Sequence, residues 1–476
     1  MEFKTKPFKH QLEEFNHSKN KKFYANLSEQ GTGKTKILLD QAAYLYLEGH
    51  INFLLVVAPN EVHANWIEEE IPKHLSLDEE NYEAGVYRNY MKKTQEDKIR
   101  DLIDHGVKSG ILKIMAMNVE GMITKQAKAT MTYILKHYNV MCVVDESTRI
   151  ANPKAKVTKY MLKKAKLFTA RRIATGTPID KNPLAAWSQF EFLDPKIFGM
   201  GFVAFRAKFA ILKEMAITTK SGHQVVQKFP VGYKNLEVLG KIIDDHSTRV
   251  LKKECLDLPD KLYKVIQLDM DPSQKRAYES MKKDLIFEYA DVEVSAGMVL
   301  EQLLHLSRIT GGFATKDEPF DNNPKLTWVK NNIDDLTSNT KVIIWARFVD
   351  ELLALSKLLG PSCRLLYGDT PKDERGSILR SFRNDDDVRV LVANPRVAGL
   401  GLTLTEASIQ IYYSNSYSLE TRRQSEDRIH RIGQTVKCTY YDLIMRGTID
   451  EAIVSNLRQK RDISDVVLKD PFENWI

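Results

Sequence analysis

A glycine-rich segment near the start of the chain has the residues of a phosphate-binding loop. Ser28–Thr35 reads SEQGTGKT and leads into a helical pattern over 36–47. Glycines let backbone N–H groups curl around phosphate oxygens, and the positive end of the following helix attracts the same oxygens. We expect Lys34 to bind the β- and γ-phosphates of a nucleotide and Thr35 to bind Mg²⁺ through its hydroxyl. The residues expected to line the loop are Gly31, Thr32 and Gly33.

This segment departs from the strict phosphate-loop pattern at one position. The pattern G-x-x-x-x-G-K-[ST] begins with glycine, whereas this chain has Ser28 there. Taken alone, the segment also fits a glycine-rich turn at the start of a helix. A second motif is therefore needed to favour a nucleotide site over a simple turn.

An apolar run that ends in two carboxylates supplies the second motif. Met141–Glu146 reads MCVVDE and lies more than a hundred residues after the loop. An Mg²⁺-binding Asp belongs at the carboxyl end of a strand beside the phosphate loop, which makes Asp145 the second expected metal ligand. Glu146 would deprotonate the attacking water, because hydrolysis needs a base near the γ-phosphate. Alone, the acidic pair also fits a helix start. Together the two motifs predict an enzyme that hydrolyses ATP with Mg²⁺.

The elements that must position these residues have the pattern of two parallel α/β sheets. Short apolar runs alternate with helical segments, as in buried parallel strands joined by crossover helices. We predict lobe 1 over 1–257, with a helical insertion at about 195–245, and lobe 2 over 258–476, with a helical insertion at about 272–312. The strand candidates are Phe53–Ala58, Ile111–Met117, Val140–Val144, Arg171–Ala174, Val342–Ala346, Arg364–Tyr367, Val388–Ala393 and Ile409–Tyr413.

Length and composition set looser bounds on the protein. The chain of 476 residues would hold about three average domains, and 70 Lys+Arg against 63 Asp+Glu leave a net charge of +7. That charge permits a polyanionic partner without identifying one. The four cysteines lie far apart with no C-x-x-C pair, so we expect no zinc cluster and no disulfide framework. The absence of a long apolar run or signal-like start argues against a membrane protein and against export.

Further motifs, in a fixed order, carry a resemblance to a known family. Over about residues 8–468 the chain is similar to the superfamily 2 helicase-like ATPases, and within them to the SWI/SNF-related family of DNA translocases. The resemblance implies two RecA-like lobes and an adenine-reading role for Gln11, whose amide offers both a donor and an acceptor. The segments of the first half that carry it are Phe8–Gln11, Val57–Asn60, Asn65-Trp66, Asn118–Glu120 and Thr175–Pro178.

The second half carries the family's later motifs. Lys341–Phe348 and Tyr367–Thr370 resemble motifs IV and IVa, and Arg396–Thr405 (RVAGLGLTLT) resembles motif V. The commoner form of motif V has Gly-Gly and Asn where this chain has Ala398-Gly399 and Thr403. The variant is similar to the subgroup that anneals strands and remodels stalled replication forks.

Gln424–Gln434, which reads QSEDRIHRIGQ, matches the family's motif VI at every specified position. Arg428 and Arg431 are three residues apart, so on a helix they share one face. Two guanidiniums that reach the γ-phosphate across a cleft between the lobes would act as arginine fingers. We therefore add Gln424, Arg428 and Arg431 to the catalytic residues Lys34, Asp145 and Glu146. A solvated basic helix is the alternative, and His430 is expected to be structural.

A basic stretch points to nucleic acid. Between Glu146 and Asp180 no residue is acidic and nine are basic, which favours sequence-independent contact with a phosphate backbone over a soluble basic helix packed on lobe 1. The nine are Arg149, Lys154, Lys156, Lys159, Lys163, Lys164, Lys166, Arg171 and Arg172. With the family's DNA path, the expected DNA contacts are Pro59, Asn60, Asn118, Arg149, Lys154, Arg347, Gly368, Gly401 and Thr403.

The motifs together predict a DNA-dependent ATPase, a monomeric motor that moves along duplex or branched DNA and remodels replication or recombination intermediates by fork reversal or branch migration. A strand-separating DNA or RNA helicase is the alternative. An ATP-gated clamp is disfavoured because Lys34, Glu146 and Arg431 are all present. Chromatin remodelling is disfavoured because little sequence flanks the motifs. A compact bacterial or bacteriophage protein is favoured, in the cytoplasm of a bacterium or infected host, or in the nucleus if the source is eukaryotic.

Overall fold

The structure is a computed structural model that describes residues 1–60, 62–89, 91–104, 110–176, 182–218, 224–289, 296–395 and 403–459. Internal contacts divide the chain into two compact units, unit 1 over Met1–Leu256 and unit 2 over Asp257–Ile476. Each unit is built around one large sheet. Among the described helices, none combines the length and the apolar character that a membrane crossing requires.

The large sheet of unit 1 has seven parallel strands in the order β3-β4-β2-β5-β6-β1-β9. Consecutive residues of β2 alternate between two apolar clusters: Phe53, Leu55 and Val57 pack on one side, and their neighbours pack on the other. Both faces of the sheet are therefore covered, which explains why its strands are continuous apolar runs. The strands are β1 (Phe23–Asn26), β2 (Phe53–Ala58), β3 (Tyr82–Tyr87), β4 (Leu112–Asn118), β5 (Val140–Asp145), β6 (Ala170–Ala174) and β9 (Ser247–Thr248).

Helices cover the sheet of unit 1 between successive strands. They are α1 (Lys9–Ser18), α2 (Lys34–Leu47), α3 (Val62–Asn65), α4 (Ile71–His74), α5 (Lys93–Asp104), α6 (Lys125–His137), α7 (Lys156–Lys164), α8 (Ala185–Leu193), α9 (Phe202–Phe209), α10 (Leu236–Asp244) and α11 (Lys252–Cys255).

The insertion predicted at about 195–245 is only partly helical. Between α9 and α10 the chain forms an antiparallel hairpin of β7 (Ala210–Thr218) and β8 (Gln224–Tyr233). The prediction extended the helical spacing of the flanking segments across the hairpin. The β-branched and aromatic residues of the second strand nevertheless favour a β conformation. Pro230 pairs with Leu212 next to a register shift, which is where a ladder tolerates proline.

The large sheet of unit 2 has six parallel strands in the order β10-β17-β16-β13-β15-β14. Residues of β13 again alternate between two apolar clusters, with Ile343 and Trp345 on one side and Val342 and Ile344 on the other. The predicted class of two parallel α/β lobes is thereby confirmed. The large sheet's strands are β10 (Lys261–Leu268), β13 (Lys341–Trp345), β14 (Cys363–Leu366), β15 (Val390–Ala393), β16 (Ala407–Tyr412) and β17 (Cys438–Met445).

Unit 2 also contains a small hairpin, β11 (Phe313–Thr315) with β12 (Glu318–Pro319). Two helices, α12 and α13, occupy the described part of the insertion predicted at about 272–312. The helices are α12 (Pro272–Tyr289), α13 (Ala296–Thr310), α14 (Pro324–Leu336), α15 (Val349–Leu359), α16 (Lys372–Asn384), α17 (Leu419–Glu426) and α18 (Ile449–Arg458).

Candidate active site and nucleic-acid surface

The glycine-rich loop joins the carboxyl end of β1 to α2. Gly31 and Gly33 have φ of 80° and 85°, in the left-handed region that a side chain disfavours, so glycine is needed at both positions. Thr32 is buried and its hydroxyl donates to the Glu29 carbonyl at 2.8 Å. Thr35 is half-buried in the first turn of α2. The loop thus places a helix amino end at the carboxyl edge of the sheet, as an anion site requires.

Lys34 lies inside the curve of this loop. Its Nζ donates to the carbonyl of Ser28 at 2.9 Å and to that of Glu29 at 3.0 Å. The ammonium is therefore directed at the space that the loop encloses, where the sequence predicts the β- and γ-phosphates. Both carbonyls accept from the ammonium, so they fix its direction without neutralising its charge.

Ser28, which replaces the first glycine of the pattern, has a structural role. It is buried, and its Oγ accepts the N–H of Val250 at 3.2 Å. The buried carboxyl group of Glu14 lies close to Ser28 and Lys34. Burial raises the pKa of Glu14 to about 8, against the opposing effects of Lys34 and the Ser28 hydroxyl. Ser28 thus ties the loop to the segment that follows β9.

Gln11 contacts the loop from α1. Its Nε2 donates to the Thr32 carbonyl at 3.2 Å, and its Oε1 accepts the Phe8 N–H at 2.9 Å. His10 reaches the same Thr32 carbonyl through Nε2 at 2.9 Å. The amide predicted to read adenine therefore lies at the loop with its orientation fixed by the chain. His10 is a second contact that the sequence reading did not identify.

Asp145 is the last residue of β5, and Glu146 follows it. Asp145 Oδ2 accepts the indole N–H of Trp66 at 3.0 Å, and its Oδ1 accepts the Glu146 N–H at 3.0 Å. Burial, and then the neighbouring Glu146 charge, raise the pKa of Asp145 to about 6, while Trp66 and Lys34 oppose the shift. Two adjacent carboxylates near Lys34 form a site whose charge a divalent cation would balance.

Glu146 is held by two side chains from neighbouring segments. Gln30 donates to Oε1 at 3.0 Å, and the Thr175 hydroxyl donates to Oε2 at 3.4 Å. Glu146 itself adopts a left-handed φ of 49°, an uncommon conformation for a non-glycine residue that concentrates at functional sites. A Cβ on Gly176 would lie 3.1 Å from the Gln30 backbone nitrogen. The loop, β5 and the segment after β6 therefore meet at this carboxylate.

The structure corrects the predicted helix at motif VI. Gln424 lies in α17 and donates to Glu420 at 3.0 Å, but α17 ends at Glu426, so Arg428 and Arg431 lie in turns beyond it. The Arg428 carbonyl accepts the Leu404 N–H at 2.9 Å. The helix ends before this point, because the N–H groups of Arg428 and Ile429 donate to carbonyls three residues back, those of Ser425 at 3.2 Å and Glu426 at 3.4 Å. Arg428 is buried and Arg431 is half-buried.

A buried ionic network fixes α17 to the sheet of unit 2. Arg422 NH1 contacts Asp442 Oδ1 at 2.5 Å, and its Nε contacts Glu426 Oε1 at 2.8 Å. Glu426 also accepts from Lys261 at 3.0 Å and from the Tyr263 hydroxyl at 2.8 Å. These contacts link α17 to β10 and β17. They therefore set the position from which the segment with Arg428 and Arg431 starts.

Three residues predicted to contact DNA meet at the carboxyl edge of unit 1. Asn60 follows β2 and its N–H donates to Glu120 Oε2 at 3.3 Å. Arg149 follows β5 and lies 3.8 Å from Glu120 Oε1, while Asn118 ends β4. Because parallel strands end at the same edge, all three lie beside the loop that carries Asp145 and Glu146. Pro59 is buried next to Asn60, and Lys154 is exposed.

The remaining predicted DNA contacts fall in unit 2. Arg347 follows β13, and its guanidinium lies 4.1 Å from the centroid of the Tyr417 ring. Gly368 is exposed and its carbonyl accepts from Arg375 at 3.2 Å. The Thr403 carbonyl accepts from Arg383 at 3.0 Å. Gly401 lies outside the described residues, as do Thr177 and Pro178 of the motif that begins at Thr175.

Two of the nine basic residues predicted to face nucleic acid are buried instead. Arg171 and Arg172 belong to β6 and are 4% and 1% exposed. The Arg172 guanidinium donates to the backbone carbonyls of Ser18, Lys21 and Lys22 at distances between 2.7 and 3.2 Å. It therefore holds the end of α1 against the sheet. The sequence prediction identified Arg171–Ala174 as a strand but still assigned the charges of Arg171 and Arg172 to the surface.

Sequence reasoning missed several supporting residues because their roles depend on contacts distant in sequence. The sequence prediction gave Gln30 no role within the loop, and it identified Thr175 only as part of a motif. Gln434 closes motif VI, and its side chain donates to the carbonyls of Thr405, Ala407 and Ile429. The loss of these bonds would release the segment beyond α17. No local pattern marks such residues.

Two family models match the chain. The model of the SNF2-related domain matches residues 20–311, which is more than half of the 476 residues. The model of the helicase conserved C-terminal domain matches residues 324–433. The first match includes the glycine-rich loop and Glu146, and the second includes Arg428 and Arg431.

Individual relatives are similar over much of the chain. An uncharacterized ATP-dependent helicase of Mycoplasma pneumoniae is 24% identical over 441 residues, covering 91% of this chain and 39% of its own. DNA excision repair protein CSB of Oryza sativa subsp. japonica is 26% identical over 345 residues, covering 69% and 28%. The chain thus spans less than half the length of these curated relatives. The Sulfolobus solfataricus SWI2/SNF2 ATPase core in complex with dsDNA matches at TM-score 0.41 and 24% identity, covering 98% of this chain and 96% of that chain.

Proposed function

The chain belongs to the SNF2-related family of helicase-like ATPases, and we propose that it hydrolyses ATP with Mg²⁺ to drive movement along duplex or branched DNA. The observation that carries the proposal is the grouping of Lys34, Asp145 and Glu146 at one edge of the sheet of unit 1. Each of these residues has the chemistry that phosphoryl transfer to water requires.

The residues at this edge divide the work of hydrolysis. Lys34 would bind phosphate oxygens, and Asp145 with Thr35 would hold Mg²⁺. The bound cation would offset the negative charge that develops on the phosphates. Glu146 would accept the proton of the attacking water. Gln30 and Thr175 each donate to one oxygen of Glu146, so both orient the carboxylate for that proton transfer.

The proposed DNA contacts begin at the same edge. Asn118 ends β4, whereas Asn60 follows β2 and Arg149 follows β5, and the three residues lie next to one another. These side chains offer donors to phosphate oxygens, and such contacts set register without reading sequence. We propose sequence-independent binding of a DNA backbone across these residues. The proposal includes Arg347, Gly368 and Thr403 of unit 2.

A role on replication or recombination intermediates is the biological part of the proposal. The Thr403 variant of motif V supports it by its similarity to the subgroup that anneals strands and remodels forks. The name of the rice relative, DNA excision repair protein CSB, also supports a role in DNA maintenance. A strand-separating helicase is the second candidate, favoured by the match to the helicase conserved C-terminal domain. Displacement of a strand from blunt duplex would favour that candidate.

ATP turnover with and without DNA tests the proposed function. Purified protein should hydrolyse ATP slowly alone and at least about tenfold faster with duplex DNA, as coupling between the two ligands requires. Glu146→Gln should abolish turnover and keep nucleotide binding, because it removes the base and leaves the loop intact. Equal rates with and without DNA would contradict the coupling. Normal turnover in Glu146→Gln would contradict the assigned base.

A further inference from the structure

Two adjacent helices of unit 1 present an exposed lysine surface. The α6–α7 lysine surface consists of residues of α6, of α7 and of the turn that follows α7, all of them exposed: Lys125, Lys128, Lys136, Lys159, Lys163 and Lys166. The three lysines of α6 had no place in the sequence prediction. Only the structure brings them beside the basic stretch of α7.

Side-chain contacts establish that the two helices are neighbours. Lys164 of α7 donates to the Thr132 hydroxyl of α6 at 3.2 Å. The Lys128 ammonium of α6 lies 5.5 Å from the centroid of the Tyr160 ring of α7. On the opposite faces, Met131 and Met161 are buried in the core cluster under the sheet. The lysines therefore lie on the outer side of this helix pair.

Little negative charge opposes this surface, and the carboxyl group of Glu191 interacts with Lys166 at one end of it. Between residues 121 and 179 the sequence contains no acidic residue apart from Asp145 and Glu146, which face the candidate active site. Two acidic residues of α5 contact α6. Glu96 accepts from Gln126 at 3.3 Å, and Asp104 interacts with Tyr133. Both contacts lie on the α5 side of α6, away from the side that contacts α7.

The dimensions of the surface match a nucleic-acid backbone. From Lys125 to Lys136 the helix rises about 17 Å, a length over which duplex DNA carries about ten phosphate charges. Lysines in rows on two helices can contact successive phosphates along such a backbone. They lack the base-reading groups that would add sequence preference.

The far end of the surface lies away from the proposed DNA contacts. α6 and α7 both start at the carboxyl edge of the sheet and return toward its amino edge before β5 and β6 begin. The six residues of β5 separate the two edges by about 20 Å. Lys136 and Lys163, in the last turns of their helices, are therefore remote from Asn118 and Arg149.

We propose that the α6–α7 lysine surface binds a second stretch of DNA backbone, so that the substrate class is DNA with two duplex segments, such as a four-way junction. The inference rests on the proposed function, because it assumes that a first duplex is bound at the carboxyl edge. The second surface would also explain a preference for branched DNA over plain duplex, because only branched DNA can place a second arm on the lysines.

The test compares two synthetic probes of equal total length, a four-way junction and a linear duplex. Lys136→Gln/Lys163→Gln should weaken junction binding about tenfold and linear-duplex binding less than twofold. The salt slope for the junction should fall by about 1.8, since each lost phosphate contact lowers it by about 0.9. The matched control is Lys330→Gln/Lys357→Gln, two exposed lysines on the neighbouring helices α14 and α15.

Each outcome decides the proposal. Selective loss of junction affinity in the first variant, with the control unchanged, supports a second DNA segment on this surface. Equal loss for both probes overturns it, because the lysines would then extend the first contact. No loss for either probe also overturns it, and assigns the surface to another partner or to none. ATP turnover of the unaltered protein with linear duplex tests the proposed function separately, so the two failures are distinguishable.

Discussion

At the scale of single residues, the best-supported part of the site is the hydrogen bonding around Glu146. Gln30 and Thr175 hold its two oxygens from opposite sides. The sequence predicted the acid itself, because two carboxylates follow an apolar strand. The sequence could not predict that Gln30 contacts Glu146, since nothing in SEQGTGKT distinguishes Gln30 from a solvated loop residue.

Gln30→Ala tests whether this hydrogen bond orients the catalytic base. A hydrogen bond to a charged group is worth about 1.5–3 kcal/mol, so kcat for ATP should fall about tenfold or more with little change in KM. Gln30→Glu is a harsher variant that adds a repelling charge beside Glu146. Steady-state ATP hydrolysis measures both. An unchanged kcat in Gln30→Ala would show that the hydrogen bond from Gln30 is not needed to orient Glu146.

Glu14 gives a prediction about pH. Burial raises its pKa to about 8 from an ordinary 4.5, so the folded state binds a proton that the unfolded state releases above pH 4.5. Its contribution to stability is therefore complete below about pH 4.5 and is lost as the pH rises through about 8. Between about pH 4.5 and pH 8, the free energy of unfolding of the unaltered protein should fall by up to about 1.4 kcal/mol per pH unit because of Glu14. This fall should be absent in Glu14→Gln.

Denaturant unfolding at pH 6 and pH 8.5 measures this effect. The unaltered protein should lose more stability between these values than Glu14→Gln does. Glu13→Gln is the matched control, because Glu13 is an exposed neighbour on the same helix. If the two variants have the same pH dependence, the Glu14 carboxyl group is not the group that titrates.

At the scale of elements, the parallel strands were predictable and their exceptions have local causes. The eight predicted strand runs became strands because burial on both faces demands continuous apolar sequence. The helix predicted through Arg428 ends at Glu426, because the N–H groups of Arg428 and Ile429 bond to carbonyls three residues back instead of four. Arg172 is buried instead of lying on the predicted basic surface, because its guanidinium donates to carbonyls at the end of α1. These partners of Arg172 are distant in sequence and leave no local periodicity.

Asp442→Asn tests the network that anchors α17. In this variant Arg422 keeps only Glu426 as a carboxylate partner, and the loss of one partner from a buried ion pair costs up to about 3–5 kcal/mol. The variant should therefore destabilise unit 2 strongly, as measured by denaturant unfolding. Asp385→Asn is the matched control, since the Asp385 side chain is 43% exposed and lies 3.8 Å from Arg364. A surface pair of this kind contributes about 0–1 kcal/mol. Equal effects would contradict the anchoring role.

At the scale of the whole molecule, unit 1 carries the proposed ATP site and two proposed DNA surfaces around the same parallel sheet. The net charge of +7 did not predict this arrangement. The informative charge is the lysine face of α6 and α7 together with Arg149 at the carboxyl edge. Family membership was readable from ordered motifs, whereas the second surface depends on which helices pack side by side.

The central claim is that ATP hydrolysis drives movement along DNA, and displacement of a third strand from a triplex tests it most directly. A moving protein removes the third strand from the duplex without separating the duplex itself. The account predicts displacement that requires ATP and is lost in Glu146→Gln and in Arg431→Ala, each of which should still bind DNA. Rapid DNA-stimulated ATP hydrolysis without displacement of the third strand would contradict the account.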